Sequence, residues 1–178
     1  MRYLRAMSDS SDDNDNRIVF VTTGGTIDKV YFDAASQYDI GEAVVEHILA
    51  EALVDIEYEV LPLMRKDSLE MDAADRELIR QAILEHPARR FVVTHGTDTM
   101  SLTADALTPM PDKTVVLTGA LTPARFRTTD AVFNVGMAVA AVQAQSSGVF
   151  IAMSGQVFAA GTVIKNREKN RFEKISGV

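Results

Sequence analysis

Short apolar runs alternate along the chain with longer amphipathic segments. These runs are rich in β-branched residues, too short for helices, and apolar at consecutive positions. That pattern is typical of strands with both faces buried in a parallel sheet. We therefore predict five buried strands, at residues 18–21, 56–61, 91–93, 115–117 and 149–153.

The longer segments carry helical periodicity. They are residues 42–53, 72–84, 101–107 and 129–145. In the first segment one face holds the apolar residues Val45, Ile48, Leu49 and Ala52. The second places Leu78 and Ala82 in the same relation, and its first turn is acidic, as suits the helix dipole.

Strands alternating with helices indicate βαβ units. We predict an α/β fold, a doubly wound and mainly parallel sheet with helices on both faces, that is, a three-layer sandwich of the flavodoxin or Rossmann kind. Residues 17–178 are expected to form one domain, although the pattern breaks into short pieces after residue 157. In such sheets ligands bind beyond the carboxyl ends of the strands. The loops of interest therefore begin at Thr22, Leu63, Thr94, Thr118 and Ser154.

The charge balance narrows the range of partners. The 178 residues carry a formal net charge of −7. Such a surface repels nucleic acid and anionic membranes, so we expect no nucleic acid and no membrane, and a small neutral or zwitterionic partner instead. Alternatively, the negative net charge serves only to keep the protein soluble.

The residue types that are missing exclude several chemistries. Without cysteine the chain has no disulfides, thiolate metal sites or cysteine nucleophile. The three histidines, His47, His86 and His95, lie in unrelated segments, so we expect no metal and no cofactor.

The N-terminal residues predict where the protein works. No apolar run approaches the ~20 residues that cross a bilayer. Residues 1–16 contain the polar string S-D-S-S-D-D-N-D-N where a signal peptide would be apolar. We interpret these residues as a disordered acidic tail and expect a cytoplasmic protein.

The first loop of interest, V-T-T-G-G-T-I at residues 21–27, follows the first strand. Two glycines allow a sharp turn and close approach to a ligand, and three threonine hydroxyls surround them. The loop matches neither of the common glycine-rich phosphate-binding patterns. A glycine turn with hydroxyls that cap backbone groups remains an alternative.

A second loop, T-H-G-T-D-T at residues 94–99, follows the third strand. Asp98 could accept a substrate ammonium, and Thr97 could attack a substrate or position a water. Alternatively, Asp98 caps the helix that begins near Thr99. We expect His95 to be a structural hydrogen-bonding residue rather than a catalytic one.

The pair T-G-G-T-I and H-G-T-D-T, each after a predicted strand, resembles the bacterial-type L-asparaginase family. Four further segments are similar to motifs of that family: S-L-E-M at 68–71, T-G-A-L-T-P at 118–123, T-D-A-V-F-N at 129–134 and V-I-K-N at 163–166. The resemblance extends over residues 18–178. It is to the first domain only, as in a short branch of the family.

The resemblance implies hydrolysis of L-asparagine to L-aspartate and ammonia through a threonine acyl-enzyme. By this resemblance Thr23 is the expected nucleophile, and Thr97 forms a group with Asp98 and Lys165. Which threonine attacks first stays open. Tyr38, on a mobile lid, is expected to hydrogen-bond the nucleophile, with Tyr31 as the fallback.

The substrate contacts follow from the same resemblance. The expected set is Gly24, Ser68, Leu69, Gly96, Thr97, Asp98 and Ala120. Among them Ser68 would bind the α-carboxylate and Asp98 the α-ammonium, and Ala120 would line the pocket with its carbonyl. Backbone amides near Thr97 and in the Gly24–Gly25 turn would stabilise the oxyanion.

Some questions stay open. Long members of the family often have glutamine where Leu69 stands, so substrate binding could be weaker here. A glutaminase or another ω-amidase, and a non-catalytic asparagine or aspartate binder, are the alternatives. The family also implies a homo-oligomer, a dimer or a tetramer.

Overall fold

The computed structural model describes residues 16–32 and 37–175, with residues 31, 32, 37 and 38 described by their backbone alone. The tail predicted at residues 1–16 therefore lies outside the described residues, apart from Asn16. No helix in the described ranges is long and apolar enough to span a membrane.

Six strands form the main sheet. They are β1 (Ile18–Gly24), β4 (Tyr58–Lys66), β5 (Arg90–Thr94), β6 (Thr114–Thr118), β7 (Gly148–Met153) and β8 (Gln156–Ala159). Their order is β4-β1-β5-β6-β7-β8, in which the first five are parallel and β8 is antiparallel to β7. All seven residues of β1 and all five of β6 are buried. The predicted fold class, a mainly parallel α/β sheet, is confirmed.

Four α-helices cover the two faces of this sheet. They are α1 (Val45–Glu51), α2 (Ala73–Glu85), α3 (Met100–Ala106) and α4 (Ala131–Ala144). Buried side chains of α1 and α4 pack with Ile18 and Phe20 of β1 in one apolar cluster. Those of α2 and α3 pack with Val19 and Val21 in the other. Alternate residues of β1 thus point into different layers, as the period of a strand requires.

Some predicted boundaries and faces differ from the structure. Strand β4 begins later than expected and continues to Lys66 instead of ending near Leu61. It tolerates Pro62 because it is an edge strand that pairs with β1 alone. On α2 the buried residues are Ile79 and Ile83 rather than Leu78, which is 49% exposed. On α1, Ala52 lies past the last helical residue and is exposed.

Two hairpins were not predicted. One consists of β2 (Lys29–Phe32) and β3 (Gln37–Ile40), and the other of β9 (Val163–Asn166) and β10 (Arg171–Lys174). In the second hairpin only Val163 and Phe172 are buried, and both join the cluster under α2 and α3. Such short, mostly polar strands lack the apolar alternation by which strands are found in a sequence.

The sheet order fixes the place of a ligand site. From β1 the chain first goes to the edge strand β4 and then returns to β5 on the other side of β1. The crevice beyond the carboxyl ends of β1 and β5 is therefore the topological switch point, where open α/β sheets bind ligands. Both threonine-rich loops lie there.

Candidate active site

Three loops pack together at the switch point through contacts that only glycine permits. A Cβ on Gly25 would lie 2.4 Å from the Gly96 nitrogen, and a Cβ on Gly96 would lie 2.6 Å from Ser68 Oγ. Gly24 and Gly25 also adopt φ values of +91° and +87°, which L side chains rarely reach. The glycines of the two motifs thus bring the turn after β1, the loop after β5 and the segment after β4 into direct contact.

The turn after β6 packs against the loop after β5. A Cβ on Gly119 would lie 2.3 Å from the His95 carbonyl oxygen. The Asp130 carboxylate accepts hydrogen bonds from the backbone amides of Leu121 and Thr122 at 3.0 Å. Asn134 donates to Asp130 at 2.8 Å and to the Gly119 carbonyl at 3.0 Å. The aspartate and asparagine of the 129–134 segment therefore hold this turn in shape.

Lys165 brings the β9–β10 hairpin to the loop after β5. Its Nζ donates to Thr97 Oγ1 at 2.7 Å and to Asp98 Oδ1 at 2.9 Å. The Lys165 side chain is 13% exposed and that of Asp98 is 33% exposed, so water reaches the cluster from one side. Arg167 Nε adds a weaker contact to Asp98 at 3.9 Å. Charge-assisted hydrogen bonds of this kind are shorter and stronger than neutral ones.

The alternative helix-capping role of Asp98 does not occur. Thr99 is the N-cap of α3, and no side chain caps that end. The Thr99 hydroxyl instead donates to the Ser68 carbonyl at 2.7 Å. The Asp98 carboxylate is therefore committed to Lys165 and the open side of the site.

His95 has the structural role that we expected for it. Its Nδ1 lies 2.7 Å from the Gly96 carbonyl oxygen, which can only accept, so Nδ1 carries the proton. Its Nε2 then accepts from the Thr103 hydroxyl at 2.8 Å. Burial lowers the pKa of His95 to about 4, which keeps the ring neutral at pH 7. His95 therefore ties the catalytic loop to α3 without facing the site.

Thr23, the nucleophile that the resemblance implies, lies in β1 directly before the two glycines of the turn and makes a buried hydrogen bond. It is 0% exposed, and its hydroxyl donates to the Thr94 carbonyl at 2.8 Å. An attacking oxygen must reach the substrate carbon. The hydrogen bond joins β1 to β5, and the role of Thr23 as the nucleophile stays a prediction.

Thr26 is a threonine of the same turn that the motifs did not single out. It follows the two glycines, begins a 3-10 turn at Thr26–Asp28, and is partly exposed. Its hydroxyl makes no hydrogen bond within the described ranges. The position of Thr26 directly after the two glycines is a signal present in the sequence. Glycines in a turn allow the backbone of the next residue to approach a ligand closely.

The predicted substrate contacts are only partly in place. Ser68 Oγ is buried and has no hydrogen-bond partner among the described residues, so it is free to bind a ligand. Leu69 is 63% exposed beside it. The side chain of Ala120 is completely buried in the cluster of α1 and α4, and the contact expected through its carbonyl stays a prediction. The Gly25 amide already donates to the Lys66 carbonyl at 3.1 Å, which removes it from the expected oxyanion donors.

Tyr38 lies in the β2–β3 hairpin, where its backbone pairs with Tyr31. Both tyrosine side chains lie outside the described residues. The hairpin itself begins next to Thr26 and is closed at its base by a hydrogen bond from the Gly41 amide to the Asp28 carbonyl, 2.9 Å long. Its backbone therefore starts at the site, as the expected lid would. Within the described ranges no cluster of three or more His, Cys, Asp or Glu residues could hold a metal ion.

The model of the family described as "Asparaginase, N-terminal" matches residues 17–175. The glutaminase-asparaginase of Acinetobacter glutaminasificans is 30% identical over 167 residues, which cover 84% of this chain and 50% of that protein. A probable periplasmic L-asparaginase of Haemophilus influenzae is 42% identical over 80 residues, 42% of this chain and 23% of that protein.

Solved structures agree with this match. The thermostable L-asparaginase of Thermococcus kodakarensis superposes with a TM-score of 0.75 at 26% identity, covering 89% of this chain and 51% of that one. A probable cytoplasmic L-asparaginase of Campylobacter jejuni gives a TM-score of 0.68 at 30% identity, covering 90% and 52%. The chain spans at most about half the length of these relatives. The matched model, the fold and the loops at the switch point together show that the chain belongs to the asparaginase N-terminal family.

Proposed function

We propose that this protein hydrolyses the side-chain amide of L-asparagine to give L-aspartate and ammonia. The observation that carries the proposal is the contact of Lys165 Nζ with Thr97 Oγ1 and Asp98 Oδ1, at 2.7 and 2.9 Å. It joins a hydroxyl that can position a water, a cation and a carboxylate at the switch point. A protein that only binds an amino acid needs neither the hydroxyl nor the lysine in this arrangement.

In the proposed reaction the attacking oxygen is that of Thr26, because this residue is partly exposed and its hydroxyl makes no hydrogen bond with a described residue. The Thr23 hydroxyl, by contrast, donates a hydrogen bond to the Thr94 carbonyl. The Thr26 oxygen bonds to the amide carbon, and its proton passes to the amide nitrogen through a neighbouring hydroxyl, for which Tyr38 is the candidate. The carbon–nitrogen bond then breaks, ammonia leaves, and an ester of Thr26 remains. Splitting one difficult step into two is the general advantage of covalent catalysis.

The second half of the reaction falls to Thr97. Because Lys165 donates to Thr97 Oγ1, the Thr97 hydroxyl hydrogen can point to a water and position it for attack on the ester. Water adds its oxygen to the carbonyl carbon, the Thr26 oxygen recovers a proton, and aspartate is released. The exposed side of Asp98 binds the substrate ammonium, and the unpaired Ser68 hydroxyl binds the α-carboxylate.

The test is to incubate the pure chain with L-asparagine and, separately, with L-glutamine, and to measure ammonia and the amino-acid product. Ammonia from asparagine, lost in Lys165→Met, is the expected result. Ammonia from glutamine alone would make the protein a glutaminase, an outcome to which the Acinetobacter glutaminase-asparaginase points. Binding of asparagine with no ammonia from either amide would contradict hydrolysis and leave the non-catalytic binder.

The protein is further proposed to be a cytoplasmic homo-oligomer of two or four chains. Helix α4 supports the assembly, because Val132 and Phe133 at its start are 46% and 64% exposed. Exposed apolar side chains side by side are typical of interfaces. Light scattering should give a multiple of 19.5 kDa, and Phe133→Glu should lower it. A mass near 19.5 kDa for the unchanged chain would contradict the assembly, and recovery in the periplasmic fraction would contradict the location.

A further inference from the structure

A second cavity lies behind the glycine turn, on the face of the sheet opposite to Thr23. Thr22 alternates with Thr23 along β1 and therefore points toward the layer of α1 and α4. The cavity has a volume of about 450 Å³, in the range of small-molecule sites. Among the described residues its lining consists of Thr22, Asp28, Gly41, Glu42, Ala43, Glu46, Val60, Pro62, Leu63, Met64 and Arg65. Ser68, Thr97, Asp98 and Lys165 are absent from this lining, so the cavity is distinct from the proposed active site.

The floor of the cavity holds a hydroxyl without a partner. Thr22 is 3% exposed, and its side chain makes no hydrogen bond within the described ranges. Thr94, its register partner on β5, is 1% exposed, and its Oγ1 is also buried without a partner in the part of the chain that the structure describes. A polar ligand at Thr22 would give its hydroxyl a hydrogen-bond partner.

Asp28 lines the same cavity and supplies a buried carboxyl group. It is 3% exposed, and one carboxylate oxygen accepts from the Val44 amide at 2.9 Å. Burial raises the pKa of Asp28 to about 6, although Val44 and the more distant Arg125 and Arg65 oppose the shift. The carboxylate makes no ion pair with any described residue. Its charge is therefore incompletely balanced by the residues that the structure describes.

The remaining lining gives the site two kinds of surface. Glu42 and Glu46 add negative charge, while the single basic residue of the lining, Arg65, is 59% exposed and lies 3.8 Å from Glu42. The wall formed by β4 is apolar and includes Val60 and Pro62. An acidic end beside an apolar wall suits a cation that has a hydrocarbon body. A bare metal ion would leave most of this volume unfilled.

We propose that this cavity is a second binding site, which takes the ammonium group of a primary aliphatic amine on Asp28 and Thr22. The ammonium donates to the Asp28 carboxylate and to Thr22 Oγ1, and the methylene groups lie against Val60 and Pro62. A second ammonium at the far end of a diamine reaches the acidic rim of Glu42 and Glu46. This site does not depend on the proposed hydrolysis.

The test is calorimetric titration of the full chain with 1,5-diaminopentane at pH 7.5 and constant ionic strength. We expect saturable binding of one molecule per chain, and none of glutarate, a dianion of similar length. Asp28→Asn should weaken binding at least ~10-fold while Asn keeps the acceptor for Val44, since a lost charged partner costs more than ~1.4 kcal/mol. Thr22→Val should weaken it less. The matched control is Glu51→Gln, which removes an exposed acid outside the cavity and should leave affinity unchanged.

Further variants and a second probe distinguish binding in this cavity from nonspecific binding and from binding in the proposed active site. Glu42→Gln with Glu46→Gln changes only exposed residues of the lining. It therefore reports on the site even if Asp28→Asn folds poorly, and it should also weaken binding of the diamine. Lys165→Met should bind the diamine normally, and excess asparagine should not displace it. Nα-acetyl-lysine amide mimics a lysine side chain of a protein and is titrated in the same way. Tighter binding of 1,5-diaminopentane indicates a free amine as the source of the ammonium, and tighter binding of the lysine derivative indicates a protein lysine. Absence of saturable binding up to ~10 mM, or equal loss in Glu51→Gln and the rim variant, would overturn the proposal.

Discussion

Lys165 Nζ lies 2.7 Å from Thr97 Oγ1, although 68 positions separate the two residues in the chain. The lysine reaches the threonine because β9 and β10 are anchored by buried Val163 and Phe172. That anchoring aims a polar hairpin at the loop after β5, and it places the only side-chain hydrogen bonds of Lys165 in the described structure on Thr97 and Asp98.

Replacing Lys165 with methionine should lower the rate of ammonia release from asparagine by roughly 10²–10⁴-fold, the usual range for a positioned proton-transfer group. Methionine keeps the bulk of the stem but removes the donor to Thr97. Steady-state ammonia assays check the change. Lys174→Met, at an exposed position of β10, is the matched control and should retain activity. Full activity in Lys165→Met would contradict the proposed site.

The two threonines of the glycine turn should respond in opposite ways. Thr26→Ala should abolish turnover and leave the melting temperature unchanged, because Thr26 is partly exposed and its hydroxyl holds no described partner. Thr23→Val should lower stability by about 1 kcal/mol through loss of the buried hydrogen bond to Thr94, and should keep most of the turnover. Paired activity and urea-unfolding measurements check this. Loss of all turnover in Thr23→Val, with turnover kept in Thr26→Ala, would return the nucleophile to Thr23.

Gly25 should not tolerate a side chain. In Gly25→Ala the new Cβ would lie 2.4 Å from Gly96 N, and the backbone φ of +87° would be strained as well. We expect a loss of stability of roughly 1–3 kcal/mol from the backbone strain alone, together with loss of activity as the two loops separate. Urea unfolding gives the first and the ammonia assay the second.

The matched glycine control is Gly136→Ala. Gly136 lies within α4, and a Cβ there would meet nothing within 4 Å. Alanine should therefore stabilise the protein by about 1 kcal/mol through its better helix propensity. Equal effects at Gly25 and Gly136 would contradict the close packing of the two motifs.

The buried Asp28 should make stability depend on pH. Its pKa rises from 3.8 to about 6 on folding, so the folded state binds more protons than the unfolded state between these values. The contribution of Asp28 to the free energy of unfolding is therefore fully present below pH 4 and is lost as the pH rises through 6. The shift corresponds to roughly 3 kcal/mol. Asn cannot ionise, so Asp28→Asn should gain stability relative to the unchanged protein as the pH rises from about 4 to about 7.

Urea midpoints of both proteins at pH 4, 5, 6 and 7 measure this difference. Asp105→Asn, at an exposed position of α3, is the control, and its difference from the unchanged protein should vary much less with pH. His95 acts in the opposite direction: its pKa falls to about 4 on folding, so its contribution is lost as the pH falls below 6.5. Because His95 is present in both proteins, it cancels in the comparison. A difference independent of pH would contradict the buried charge of Asp28.

Local sequence pattern was sufficient to place the central strands and the layers around them. Runs such as Phe91–Val93 are apolar at consecutive positions, as expected of a strand in a parallel sheet whose two faces are both covered by helices. The glycines at 24 and 25 likewise indicated a sharp turn and close backbone approach, because glycine permits both at the end of a buried strand. The family motifs then identified Thr97, Asp98 and Lys165 as a group.

Long-range packing determines which residues reach the site and which are buried. Thr23 and Thr26 are the same residue type in T-G-G-T, yet Thr23 is buried with a hydrogen bond to β5 whereas Thr26 is partly exposed. The β9–β10 hairpin has too little apolar pattern to be found, since its place depends on two residues packing under distant helices. The cavity at Asp28 likewise could not be predicted from the sequence, because residues of β4 and residues near the start of α1 line it together. Burial and cavities depend on contacts between distant segments, which local composition does not encode.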